Sequence, residues 1–319
     1  MACAALLVAD GPVRPISPEE AAAYAGPGFV WSHIERLEEA DRDTLKRFGD
    51  IPEIALNALV ATETRPRCDR IEDGAIINIR GPASTAEAGT DRLVSIRCWV
   101  RAGKINSLTR SPMTATEEVR ALVEQGGILD PGDLVAALAR AVSKQLDPQV
   151  ADLGDLLDTC EVELEPRQVY RLRTTIARVR SEAISFRRFV APDRDALQSL
   201  AGMDFEWLAE EDRLHIREAA DRFARMAEEL EAVRERAALL HEQITDLRSE
   251  QIDARSLLIS VVAFIFLPLT FVTGLLGMNV AGIPYADEPW AFSAVLVLCL
   301  VLGLLVLAWF LMAHWLRRG

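Results

Sequence analysis

The sequence predicts an α/β N-terminal domain joined by one long helix to a pair of C-terminal membrane spans. Three observations predict this. Strand-like and helix-like runs alternate through residues 1–130, the pattern of an α/β domain. No Gly or Pro interrupts a regular apolar spacing from Asp204 until Pro268. Leu257–Leu276 and Trp290–Leu316 run for 20 and 27 residues without a formal charge. Each is long enough to cross the hydrocarbon core of a bilayer.

Composition narrows the partners. The 319 residues include 48 Asp+Glu against 35 Lys+Arg, a net charge of −13. From Leu257 onward the charges are Asp287, Glu288, Arg317 and Arg318, which cancel, so the whole −13 lies in the first 256 residues. A nucleic-acid partner calls for a basic face and is not expected. An apolar fraction of 50% excludes a mainly disordered chain. Met1–Ala9 is apolar but short and has no basic flank, so no targeting signal is expected. Cys3, Cys68, Cys98, Cys160 and Cys299 are odd in number and scattered, which suits reduced cytosolic thiols.

The elements follow in chain order. Cys3–Val8, Phe29–Ile34, Ala75–Ile79 and Leu93–Val100 read as strands, separated by Gly/Pro pairs such as Gly11-Pro12 and Gly81-Pro82. Asp41–Phe48, Pro52–Val60 and Thr116–Glu124 read as helices. Residues 131–203 form a helical part. Within it, Pro131–Val150 is a helix with Asp130 as N-cap and Pro131 at its first position. Asp152–Phe189 is mostly helix, with a break expected near Pro166, and Ala191–Gly202 reads as a loop and short helix. Residues 204–256 are a stalk helix. Phe223, Met226, Leu230, Val233, Ala237, Leu240, Ile244 and Leu247 alternate steps of three and four, a heptad seam. The phase runs on through Gln251, Ala254, Leu258, Val261 and Ile265, so stalk and first span (257–276) read as one helix, about 110 Å from Asp204 to Leu276. Read alone, the seam equally suits a coiled coil that tethers or dimerises.

Arg248 and Arg255 precede the first span and Arg317 and Arg318 follow the second (290–316), whereas loop 277–289 has no Lys or Arg. The positive-inside rule then places both termini in the cytoplasm and the loop outside.

Opposite the seam, Ser256, Ser260, Ala263, Leu267, Thr270, Gly274 and Gly277 share one face of the first span. Such a face serves close helix packing or a water-lined pore. The same stepping, taken backwards, gives Asp253, Asp246, Glu242 and Glu235, an acidic line in the cytosol. Repeated in a ring of subunits, each would become a ring of carboxylates that attracts cations.

The stretch Phe266-Leu267-Pro268-Leu269-Thr270, then Gly274, then Gly277-Met278-Asn279 resembles the CorA superfamily of divalent-cation transporters, with the Gly-Met-Asn triplet at the outer end of the first span. The short loop, second span and basic tail Trp315-Leu316-Arg317-Arg318 fit the same family. The resemblance implies a homopentameric funnel, its first spans lining the pore and its N-terminal domains in the cytosol. It implies that Asn279 meets the incoming hydrated cation through its amide oxygen, that Gly277 permits a tight turn, and that Thr270 and Gly274 face the pore. The loop departs from the magnesium-type Met-Pro-Glu and runs Val280-Ala281-Gly282-Ile283-Pro284, then Asp287-Glu288-Pro289-Trp290. This is similar to the zinc-transporter branch ZntB and implies zinc as the cation, with a magnesium, cobalt or nickel channel as the alternative. Asp287 and Glu288 are candidate outer charges or plain loop residues.

Catalytic signatures are missing from the sequence. His33, His215, His241 and His314 make no H-x-x-x-H pair, and there is no phosphate-binding loop or nucleophile elbow. The expectation is a transporter without a cofactor and not an enzyme, embedded in lipid, with the divalent cation as its cargo.

Overall fold

The structure, a computed structural model, describes residues 2–9, 11–35, 41–49, 51–62, 65–84, 93–165, 168–278, 282–283, 285 and 287–316. It divides into two units. Residues 1–164 and 170–241 form the first, and residues 165–169 and 242–319 the second.

In the first unit the chain runs β1 (Ala2–Val8), β2 (Arg14–Ile16), α1 (Pro18–Ala23), β3 (Phe29–Glu35), α2 (Asp41–Arg47), α3 (Glu53–Val60), β4 (Arg67–Ile71), β5 (Gly74–Pro82), β6 (Leu93–Arg101), β7 (Lys104–Thr109) and α4 (Thr114–Glu124). The seven strands form one sheet in the order β2-β1-β3-β7-β6-β5-β4. Only β3 and β7 pair in parallel, with Trp31 opposite Ile105. The other pairs are antiparallel.

Both faces of the sheet are covered. On one, Leu45 of α2, Phe48 just after it, and Leu56 and Leu59 of α3 bury against Val30, Ile76, Trp99 and Leu108. On the other, α4 and α5 (Pro131–Val162) pack across β5. Gly81 marks that crossing: a Cβ there would strike the Met113 side chain and come within 2.8 Å of Val142. The C-terminal carbonyls of α3 are capped by cations from the sheet. Buried Arg97 donates to Leu59 O at 2.8 Å, and Arg110 to Val60 O and Ala61 O at 3.1 and 3.2 Å.

The helical part departs from expectation in two places. The helix starting at Pro131, capped by Asp130 accepting from Asp133 N–H at 2.9 Å, passes through Pro148 and ends at Val162. The next, α6 (Val169–Gly202), passes through Pro192, where a loop and short helix were expected. Tertiary docking overrides the proline signal there. Asp193, fully buried, accepts the backbone N–H of Arg80 in β5 at 3.0 Å and holds that stretch of α6 on the sheet.

The long helix α7 spans Glu210–Leu276, 67 residues, beginning six residues later than expected. Phe205, Trp207 and Leu208 are buried before it, and Asp212 caps its start by accepting the Ala209 N–H at 2.9 Å. The heptad seam is occupied within the chain. Phe223, Met226, Leu230, Val233, Ala237 and Leu240 are all at most 4% exposed. Arg236 bridges to Asp158 and Glu161 of α5, and Arg187 of α6 reaches Glu231 at 2.9 Å. From Phe223 to Leu240 the seam is therefore filled from within the chain, which leaves no apolar stripe there for a second copy.

The second unit contains the end of α7 and α8 (Ala291–Leu316). Two windows, one in α7 and one in Ala291–Phe310, are long and apolar enough to cross a membrane, and neither is buried inside the chain.

Candidate functional site

In the second unit α7 and α8 lie side by side. Val261, Ile265, Leu269, Val272 and Leu276 of α7 and Val295, Cys299, Leu302, Gly303, Val306 and Phe310 of α8 are half-buried. Gly303 brings the helices close: a Cβ there would lie 3.9 Å from Leu269 Cδ1. The Phe264 and Trp309 rings stack with centroids 6.3 Å apart. The apolar side of α7 is thus the side that meets α8.

The opposite side is uncovered. Ser256, Ser260, Ala263, Leu267, Thr270, Gly274 and Gly277 are all exposed. The hydroxyls of Ser260 and Thr270 are satisfied locally. Ser260 Oγ donates to Ser256 O at 2.9 Å, and Thr270 Oγ1 donates to Phe266 O and Leu267 O, both at 2.9 Å. These two hydroxyls spend their protons on their own backbone and keep oxygen lone pairs as acceptors. Pro268 lies inside the helix and has no N–H, so the Phe264 carbonyl loses its helical donor. At Gly274 no atom comes within 4 Å of where a Cβ would be, so the helix presents bare backbone there.

Gly277 ends the helix by donating its N–H to Thr273 O at 2.9 Å. It lies in the turn that leaves the helix, and its φ is outside the left-handed region. What requires glycine is space, because a Cβ would sit 2.9 Å from Thr273 O. Met278 follows, exposed. Asn279 lies outside the described residues. In the loop, Gly282 has φ +109° and Tyr285 φ 58°, with the Tyr285 and Trp290 rings 5.3 Å apart. Asp287 and Glu288 are exposed.

Glu235, Glu242, Asp246 and Asp253 are likewise exposed. Among the described residues none of the four has an ion pair, whereas their neighbours Arg234 and Arg236 are paired with Glu231 and with Asp158 and Glu161. No group of three or more His, Cys, Asp or Glu forms a metal cage among the described residues. Along α7 the described residues thus present single, separated oxygens on one side of the helix.

His33 sits in β3 with Nδ1 2.8 Å from Ser107 Oγ, which also accepts the Trp31 indole N–H at 2.8 Å. Burial, and then Arg120, push His33 down to about 4. Buried Cys68 and Cys98 are pushed up to about 12, chiefly by burial, which leaves them as inert thiols. Sequence reasoning passed over a group of arginines around β5, β6 and α6, because they are far apart in the chain and share no motif.

Residues 26–318 match the model of the CorA-like Mg2+ transporter protein family. The zinc transport protein ZntB of Pectobacterium carotovorum subsp. carotovorum (strain PC1) is 31% identical over 312 residues, covering 97% of this chain and 92% of that protein. Among solved structures, the full-length CmaX protein matches with TM-score 0.78 and 27% identity, over 98% of this chain and 97% of that one. The CorA magnesium transporter of Methanocaldococcus jannaschii shares the fold at TM-score 0.80 and 16% identity, over 97% of both chains. Two membrane-length helices at the end of an α/β unit, one of them with an uncovered hydroxyl-bearing face, and a family match over nearly the whole length lead to one conclusion: this chain belongs to the CorA-like Mg2+ transporter family.

Proposed function

We propose that this protein is a homopentamer that moves divalent cations, zinc foremost, across the cytoplasmic membrane. The observation that carries the reading is the uncovered polar face of α7. Its apolar side meets α8, and Ser260, Thr270 and Gly274 point the other way. In hydrocarbon a hydroxyl-bearing face seeks another helix or water. Five copies around an axis supply both, with small side chains at the closest approach and oxygens lining a wet path. Gly277-Met278-Asn279 then forms the mouth, and five Asn279 amide oxygens bind an ion that keeps its water shell, as reluctantly dehydrated cations require. Glu235, Glu242, Asp246 and Asp253 form carboxylate rings on the cytosolic side, and both termini are cytoplasmic.

Zinc is favoured over magnesium by two observations. The Pectobacterium relative described above is named as a zinc transport protein. The loop after the triplet runs Val280–Pro284 and lacks the Met-Pro-Glu sequence. A tethering role is disfavoured because the seam from Phe223 to Leu240 is consumed inside the chain.

The test is flux by purified protein in liposomes with Zn²⁺, Mg²⁺, Ni²⁺ and Co²⁺ at several pH gradients. The reading expects Zn²⁺ flux above the other three. Flux of none of them by a correctly assembled oligomer overturns transport, and preference for Mg²⁺ overturns the zinc assignment.

A further inference from the structure

This acidic chain has a strongly basic cleft. It lies in the first unit, where β5 and β6 meet α6, with a volume of about 930 Å³. Five of its fourteen lining residues are arginines: Arg65, Arg80, Arg97, Arg110 and Arg188.

Three of the five are fixed in place by backbone carbonyls. Arg97, 3% exposed, donates to Leu59 O, and Arg110 to Val60 O and Ala61 O. Arg80 donates through Nε and Nη2 to Leu93 O at 3.2 and 3.0 Å, with its guanidinium 4.0 Å above the Phe189 ring. Carboxylates at the cleft are fewer. Among the described residues, Glu182 lines it, and Asp193 lies behind Arg80, fully buried, with burial raising its carboxyl well above the usual range. Burial, then Arg110 and Arg80, push Arg97 down to about 10, the direction expected of like charges crowded together. Such crowding is relieved by a bound anion.

We propose that this cleft binds a small polyanion carrying adjacent phosphoryl groups. Guanidinium forks match phosphate oxygens two at a time, and arginine outperforms lysine at planar, bidentate recognition. The hydroxyls of Ser95, Ser111 and Ser185 add donors to the same wall. The volume falls within the range of small-molecule sites, ~300–1,000 Å³. A nucleic acid is disfavoured, because the chain's net charge of −13 repels a long polyanion and the arginines line a concavity instead of a face. The source is either an inorganic polyphosphate or a nucleoside polyphosphate, whose base would contact the Phe186 and Phe189 wall.

The experiment is titration calorimetry on the full-length protein in detergent, in metal-free buffer, with sodium pyrophosphate, ATP and citrate as separate probes. It reads binding alone, so its result is independent of metal flux. Saturable pyrophosphate or ATP binding is expected. The exposed pair Arg65→Gln/Arg188→Gln should weaken it by about tenfold or more, with Arg65→Lys/Arg188→Lys recovering part of the loss. Tighter ATP than pyrophosphate binding assigns the site to a nucleotide, and equal binding assigns it to the phosphoryl groups alone. No binding of either at about 1 mM ligand, unchanged affinity in a folded Gln pair, or citrate binding as tight as pyrophosphate overturns the proposal. A thermal shift on the same samples confirms that the variants are folded.

Discussion

Two stretches of α7 have the same helical period and opposite fates. From Phe223 to Leu240 its apolar stripe is sealed by the chain's own helices, leaving a charged outer face. From Ser256 to Gly274 the apolar stripe is only half-covered, by one neighbour, and the small, hydroxyl-bearing stripe is open. The difference follows from the solvent. In water, apolar area drives helices together, so the greasy stripe decides what packs. In lipid that drive vanishes, and close approach of small residues and satisfaction of polar atoms decide instead. The first stretch is complete in one chain, while the second calls for more copies.

That contrast can be broken or sharpened. The largest expected effect is at the end of the second stretch. Asn279→Ala should lower Zn²⁺ flux by about tenfold or more, equivalent to at least ~1.4 kcal/mol of lost ion stabilisation, while the oligomer stays intact in detergent. Unchanged uptake would remove Asn279 from the mouth. In the first stretch the large effect is on stability. Phe223→Ala should cost about 3–5 kcal/mol, read as a drop in the denaturation midpoint, with any flux loss tracking the amount of folded protein. A folded Phe223→Ala protein of normal stability and lost conduction would reverse the roles of the two stretches.

Acid should also separate the two units. His33 has a folded pKa of about 4, below its usual 6.5. Between those values the unfolded chain binds the extra proton, so the contribution is fully present above pH 6.5 and is lost as pH falls towards 4. Its size is of order 3 kcal/mol at that limit. Denaturation across pH 4–7 should show this slope for wild type and a flatter one for His33→Gln, whereas equal slopes would discount His33. The smallest effect is expected from the acidic line. Changing Glu235, Glu242, Asp246 and Asp253 to Gln or Asn should reduce cation selectivity and the metal dependence of protease resistance along α7. Solvated charges more than about 8 Å from the ion path are screened, so a wild-type response would show that the line faces bulk water.

Much of the fold was legible where periodicity and burial agree. The buried runs of β3, β5 and β6 and the Asp130-Pro131 start of α5 follow from local chemistry. The segment Lys104–Thr109 did not stand out, because Asn106, Ser107 and Thr109 make it polar. It is nonetheless a central strand, its polar groups buried between β3 and β6, with Ser107 serving Trp31 and His33. Arg67–Ile71 is a charged edge strand, which alternation alone misses. The run of α5 on from Val150 to Val162, and of α6 through Pro192 where a loop and short helix were expected, were not legible because a sequence does not show the docking that holds these helices. At the candidate site, the spacing of Ser260, Thr270 and Gly274 placed them on one face. Which stripe α8 would cover depends on the Leu269–Gly303 approach, a tertiary fact. The arginine cleft gathers residues from 65 to 188 and had no local signal.

The most direct test of the conducting face compares two single substitutions nine residues apart on α7. Thr270→Val keeps the shape of an exposed side chain and removes its hydroxyl, and Val261→Thr puts a hydroxyl on the half-buried side that meets α8. Zn²⁺ flux and thermal stability are measured for both in the same liposome and detergent preparations. The account predicts that Thr270→Val loses flux several-fold with stability unchanged, and that Val261→Thr loses stability with flux per folded oligomer unchanged. The opposite assignment, conduction lost at Val261 and preserved at Thr270, would contradict it.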